Sequence, residues 1–159
     1  MNPALRRLLG ELPGIVELYW LRHRRTYAGY YTFRLVDKYA PSALKVVAEM
    51  ARERPAGRKI HLFSSWHYWI DYNAMLGLLL ASRGHRVSLG YVPYSKFYIH
   101  NDRFDLRFQD LYSLDRLKRL APYVRPVSLL RIRPAKDLPP ELARAAETVA
   151  LYDTQYTLQ

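Results

Sequence analysis

The chain contains no cysteine among its 159 residues, which excludes disulfide bonds and thiolate metal sites. No uninterrupted apolar run reaches the roughly 18 residues that span a bilayer. The N-terminus also lacks the compact apolar block and small-residue cleavage site of a signal peptide. These absences predict a cytoplasmic protein, located either in the bulk cytoplasm or at the inner face of the membrane.

The stretch from Arg58 to Tyr91 has the pattern of one βαβ unit. Ile60 to Phe63 is an apolar run of strand length, and Ala74 to Ala81 is a run of helix formers. Gly84 stands where a helix C-cap glycine belongs, and Val87 to Leu89 gives a second strand. Strand, loop, helix and strand in this order predict two parallel strands joined by a helical crossover.

The alternation continues after this unit. Gln109 to Leu120 predicts a helix, Val127 to Ile132 a third strand, and Pro140 to about Ala150 a further helix. We therefore expect residues 58–159 to form an α/β domain. Its sheet should be open, parallel and Rossmann-like, with helices on both faces. Three strands are few for such a sheet, so we expect a further domain to follow.

Residues 1–57, which we call the N-terminal arm, are expected to be helical, basic and aromatic. Up to Lys59 the chain has 12 Lys or Arg and 5 Asp or Glu, a net of +7 out of the total of +11. We expect helices at Ala4 to Leu9, Ile15 to Arg25 and Ala43 to Arg54, the last with Ser42 as its N-cap.

Three interpretations of the arm remain open. Its aromatic and basic residues suit an interfacial membrane anchor on anionic lipid. The same mixture can stack on single-stranded nucleic acid, although no nucleic-acid-binding module is recognisable and this partner is not expected. The third interpretation is an arm whose aromatics pack on the domain and whose charges are solvated.

Ligands of open α/β sheets bind beyond the carboxyl ends of the strands. That edge brings together the segments Ser64 to Asn73, Gly90 to Asp105 and Arg133 to Pro139. His67 is a candidate general base because imidazole titrates near neutral pH, and Asp71 can orient it or act itself. The candidate substrate-binding residues are Ser64, Ser65, Trp66, Tyr68, Trp69, Asn73, Tyr94 and Asn101.

Each candidate also has a plainer explanation. His67 can be an ordinary loop histidine, Asp71 a helix N-cap, and the Trp66–Trp69 aromatics part of a core or interface. No metal site is expected, because His67 and Asp71 have no third ligand nearby. A glycine-rich phosphate loop is missing as well, which argues against NAD.

The segment from Lys59 to Leu89 resembles the start of GT-B glycosyltransferases. The resemblance rests on a basic residue, a short strand, a polar loop, the helix Asn73 to Ala81, and then Arg83-Gly84-His85-Arg86-Val87. It implies an acceptor-binding half with His67 or Asp71 as the base. It further implies that a second domain, in this or another chain, binds a nucleotide sugar as donor substrate.

The resemblance predicts sugar transfer to a surface polysaccharide or glycolipid acceptor, with no cofactor bound by this chain. The alternative is a non-catalytic binding or scaffold domain that docks on a membrane or on a protein partner through the N-terminal arm.

Overall fold

A computed structural model describes residues 3–24, 26–27, 29–52, 55, 57–95, 101–132, 139–142, 144–145 and 147–148. The helices are α1 (Pro3–Glu11), α2 (Ile15–His23), α3 (Arg34–Arg52), α4 (His67–Ser82) and α5 (Arg103–Leu117), and the strands are β1 (Lys59–Trp66), β2 (Arg86–Tyr94) and β3 (Val124–Ser128). Short 3₁₀ helices occupy Lys118–Leu120 and Leu129–Arg131.

The three strands form one parallel sheet in the order β1-β2-β3. Helix α4 connects β1 to β2, and α5 connects β2 to β3, as parallel pairing requires. Gly84 ends α4 with φ 88°, the left-handed conformation that glycine adopts without a Cβ penalty. The prediction of an α/β protein with a three-stranded parallel sheet is confirmed.

Both crossover helices lie on the same face of the sheet. Val87, Leu89 and Tyr91 alternate along β2 and are buried, so they share one face. A Cβ added to Gly77 of α4 would lie 2.9 Å from Val124 and 3.5 Å from Val87, so α4 touches this face. Helix α5 reaches it too, because the Tyr91 hydroxyl donates to Asp110.

The other face of the sheet is exposed in the described part of the chain. Phe63, at a position that alternates to this side, is 62% exposed. Parallel sheets are normally covered on both faces. The prediction of helices on both faces is therefore not confirmed by the described residues.

Helices α1 to α3 pack on the crossover helices rather than on the sheet. α1 and α2 contact α5, and α3 contacts mainly α4. Trp20, Tyr31, Phe33 and Val36 are buried in the same hydrophobic core as the sheet residues. This arrangement matches the interpretation in which the arm's aromatics pack on the domain, and a separate N-terminal arm is not confirmed.

Several predicted boundaries are wrong. Helix α3 begins at Arg34, not at Ala43, so Ser42 is an interior residue and not an N-cap, and Pro41 lies inside the helix. Of the predicted third strand, Val127 to Ile132, only Val127 and Ser128 belong to β3, because β3 ends at Ser128 and a 3₁₀ helix follows. Helix α5 begins at Arg103 because the Asp102 carboxylate accepts the N–H of Asp105 and caps it there.

The predicted C-terminal helix is described only in part. Pro140, Glu141, Leu142, Arg144, Ala145, Glu147 and Thr148 are helical. The remainder of that helix, and residues 133–138 of the predicted loop segment Arg133 to Pro139, lie outside the described residues.

Candidate functional site

The carboxyl end of β1 passes directly into α4. The prediction of a loop from Ser64 to Asn73 is wrong, because Ser64 to Trp66 belong to β1 and His67 is the first residue of α4. The pairing of β1 with β2 is irregular here: Ser64 pairs with Tyr91, but Trp66 pairs with Tyr94. Strand β2 thus carries one extra residue beside Pro93, which cannot donate a ladder hydrogen bond. Such bulges redirect side chains at the edge of a sheet.

His67 is held in a defined orientation at this edge. Its Nδ1 lies 2.7 Å from the carbonyl oxygen of Ser95, and a carbonyl only accepts, so Nδ1 carries the proton. In the neutral ring the basic nitrogen is then Nε2. The rings of Tyr31 and Tyr68 lie 5.4 and 5.3 Å from the imidazole. A half-buried imidazole fixed through Nδ1 is suited to accept a proton at Nε2.

Asn101 belongs to the same hydrogen-bond network as His67. The Ser95 hydroxyl donates to Asn101 Oδ1 over 2.9 Å, and Gln109 Nε2 donates to the same oxygen over 3.1 Å. Ser95 and Gln109 are both buried. The structure therefore brings together two residues predicted from different segments, His67 and Asn101, through a serine and a glutamine that sequence reasoning missed.

Asp71 caps a helix, but a different one from its own. Its Oδ2 accepts the N–H of Leu35 and its Oδ1 accepts the N–H of Val36, both over 2.8 Å, at the start of α3. Burial raises the pKa of the Asp71 carboxyl, while these two N–H groups act in the opposite direction. Because both oxygens are engaged by backbone amides, the geometry favours a structural role for Asp71 over proton abstraction.

Ser64 and Asn73 hold the junction of β1 and α4. Asn73 Nδ2 donates to Ser64 Oγ over 2.7 Å and to the Phe63 carbonyl over 3.3 Å. Ser64 Oγ donates in turn to the Trp69 carbonyl over 3.3 Å. Ser64 is buried, whereas Ser65 is half-buried. The Ser64 hydroxyl, a predicted substrate contact, therefore already makes hydrogen bonds within the protein.

An aromatic row runs along the start of α4. It consists of Trp66, Tyr68, Trp69 and Tyr72, whose successive ring centroids are 5.8, 5.9 and 6.2 Å apart. Trp69 is 52% exposed and Tyr72 60%. Tyr94, which pairs with Trp66 in the sheet, is also exposed. The row therefore offers accessible ring faces next to His67 and is not core packing.

A second polar group lies under the ends of β2 and β3 and was not predicted. Asp110 Oδ1 accepts from the Tyr91 hydroxyl over 3.3 Å, and its Oδ2 accepts from Arg131 Nε over 2.6 Å. Burial raises the pKa of Tyr91, and the Asp110 carboxylate adds to this effect. The available signal was the alternation of Val87, Leu89 and Tyr91, which places the tyrosine on the buried face.

No family model matches the chain, and neither a curated protein nor a solved structure is significantly similar to it. Within the described ranges, no group of three or more His, Asp or Glu side chains is arranged to hold a metal ion. No helix in that part of the chain is long and apolar enough to cross a membrane. Function is therefore inferred from the chemistry of the site.

Replacing Asp71 by Ala should destabilise the fold. Two amides at the start of α3 lose their acceptor, and we expect the free energy of unfolding to fall by about 1–3 kcal/mol. Asp71→Asn, which offers one amide oxygen in place of two, should give a smaller loss. Urea unfolding followed by circular dichroism measures both.

Asp115→Ala is the matched control, since Asp115 of α5 forms an exposed i,i+3 ion pair with Lys118, which follows that helix. Such a pair contributes at most about 1 kcal/mol. Equal losses for Asp71→Ala and Asp115→Ala would contradict the capping role.

Proposed function

We propose that this chain is the acceptor-side, Rossmann-like domain of a GT-B-type glycosyltransferase. The observation that carries the proposal is the orientation of His67 at the carboxyl end of a parallel sheet, where ligands of such sheets bind. The aromatic row beside it supplies flat apolar faces of the kind that pack on sugar rings.

The reaction would be displacement at the anomeric carbon of a nucleotide sugar. An acceptor hydroxyl on a polysaccharide or glycolipid forms the new C–O bond while its proton passes to Nε2 of His67. The bond between the anomeric carbon and the nucleotide phosphate breaks, and the phosphate leaves with the electron pair. A second domain, in the same or another chain, would hold that nucleotide sugar, and this chain would bind no cofactor.

Asp71 acts in this proposal as a positioning residue. It lies one helical turn after His67, and its bonds to Leu35 and Val36 tie the first turns of α4 to α3. Asn73 ties the same turns to β1. The imidazole would thus be presented from a helix end that is fixed on two sides, as an efficient general base requires.

His67→Gln in the native-length protein should lower the turnover of sugar transfer at least about 10²-fold, because glutamine cannot accept the proton. Transfer from a panel of UDP- and GDP-linked sugars to extracted glycolipid measures it. His85→Gln is the matched control, since His85 lies at the opposite, amino end of β2 and its Nδ1 accepts the N–H of Arg58. Unchanged turnover of His67→Gln would remove the catalytic assignment.

We propose as a second candidate function docking on an anionic membrane at its cytoplasmic face. The supporting observation is a row of exposed apolar side chains on α4, which we call the α4 stripe: Trp69, Tyr72, Leu76 and Leu79. Their spacing places them on one face of the helix, opposite the buried Ile70, Ala74, Leu78 and Ala81.

The chemistry of the α4 stripe favours a lipid surface. Trp and Tyr lie at headgroup depth in membranes, and the exposed Arg83 continues the stripe one turn after Leu79. The net charge of +11 adds attraction to anionic lipid. Of the N-terminal aromatics, Trp20, Tyr31 and Phe33 are buried and therefore do not contribute to this surface.

The double substitution Trp69→Ser and Leu79→Ser should abolish co-sedimentation with vesicles that contain phosphatidylserine, because the apolar contact is lost. Tyr39→Ser, on the exposed side of α3, is the control and should sediment like the unaltered chain. Raised salt should weaken binding by screening. Equal sedimentation of the double variant and the control would refute docking through the α4 stripe.

A further inference from the structure

The face of the sheet that is turned away from α4 and α5, here called the exposed sheet face, carries positive charge without acidic partners. Lys59 of β1, Arg86 of β2 and Arg125 of β3 alternate to this face and are exposed. The three strands contain no acidic residue, and none of these cations forms an ion pair with a described residue. The other positions of the face are His61, Phe63, Ser88, Gly90, Val92 and Val127.

Two of these cations are direct neighbours across the sheet. Lys59 and Arg86 are register partners in adjacent parallel strands, whose backbones lie about 4.8 Å apart. Arg125 is the register partner of Ser88, two residues further along β2 than Arg86. Like charges in neighbouring positions repel each other, and an anion that both contact removes the repulsion. The arrangement therefore costs stability in the free protein and favours an anionic ligand.

An apolar platform adjoins the cations. Phe63, which is 62% exposed, is the register partner of Gly90, and Gly90 pairs in turn with Val127. A Cβ added to Gly90 would lie 4.0 Å from the Phe63 ring and 4.0 Å from Leu129, which is itself exposed. These two side chains therefore flank a strip of backbone that carries no side chain. A flat group can lie on the strip against the ring of Phe63.

The register places the cations at two distances from the platform. Arg125 lies one row from Phe63, which is two residues or about 6.6 Å along the strands. Lys59 and Arg86 lie two rows away, at about 13 Å. A ligand that contacts all of them must carry a planar apolar group at one end and more than one anionic group along its length.

Single-stranded nucleic acid has this combination of groups. Proteins that bind single strands combine cations that follow the phosphates with aromatic side chains on which the bases stack. A duplex is less suitable, because neighbouring base pairs cover the faces of its bases. An acidic peptide would neutralise the cations but would leave the ring of Phe63 without a planar partner.

We propose that the exposed sheet face binds single-stranded nucleic acid, with a base stacked on Phe63 and phosphates held by Lys59, Arg86 and Arg125. Its three strands span about 10 Å, and this size suits the two or three nucleotides that sheet-based RNA-binding domains stack. The face is separate from the N-terminal arm and from the α4 stripe, because α4 packs on the opposite side of the sheet. Binding there does not depend on the proposed transferase activity.

The test is fluorescence anisotropy with labelled oligothymidylate and oligouridylate on the chain as given, over a series of salt concentrations. The logarithm of the association constant should fall linearly with the logarithm of the salt concentration. We expect a slope of about −2, since three neutralised phosphates contribute about 0.7 each. Arg86→Gln and Arg125→Gln should each reduce the slope by about 0.7. Lys45→Gln, exposed on α3, which packs on α4, is the matched control and should not change the slope.

The stacking contact is tested by Phe63→Ala, which should weaken binding of the oligonucleotide about tenfold or more. Phe63→Tyr keeps a ring and should retain the affinity, and Tyr39→Ala, exposed on α3, is the control that should leave it unchanged. Gly90→Val introduces a residue that strands favour and covers the bare strip, so it should weaken binding even if Phe63→Ala does not fold.

Heparin, which is anionic but has no bases, separates stacking from charge, because its affinity should not respond to Phe63→Ala. Failure of both oligonucleotides to bind at low salt would overturn the proposal. Equal affinities of the unaltered chain for a single strand and for a duplex of the same length would also contradict it. So would an affinity for the oligonucleotide that neither Phe63→Ala nor Gly90→Val lowers.

Discussion

The start of α3 is the point on which the rest of the structure depends. Its first amides are capped by side chains from other elements: Asp71 of α4 accepts from Leu35 and Val36, and the Tyr112 hydroxyl of α5 accepts from Phe33. Unpaired amides at a buried helix end would be costly, so three helices must be in place together. This requirement makes the N-terminal helices part of the same core as the sheet.

The same contacts give α4 two functionally different sides. Inward, Asp71 and Asn73 fix its first turns to α3 and β1. Outward, the aromatic row and the α4 stripe are exposed. His67 lies between the two sides, half-buried, with Nδ1 anchored to Ser95. His67 therefore combines a fixed orientation with access from solvent. The proposed transfer reaction requires both properties of its general base.

Local patterns predicted the sheet and its crossovers but not the capping. Gly84 and the apolar runs on either side of it are close together in the sequence, so the βαβ unit could be recognised from local patterns. The start of α3 could not, because its caps lie 35 residues or more away and Pro41 suggested a helix boundary. The network from His67 to Gln109 was missed for the same reason, since none of its bonds follows from sequence spacing.

Native-state hydrogen exchange tests most directly whether one core joins the N-terminal helices to the sheet. The amide of Val36, bonded to Asp71, should exchange with the same free energy of opening as the amide of Leu89 in the central strand, because both are released only by global unfolding. Exchange of Val36 through a separate opening of much lower free energy would contradict this account. Helices α1 to α3 would then be an independent unit resting on the domain.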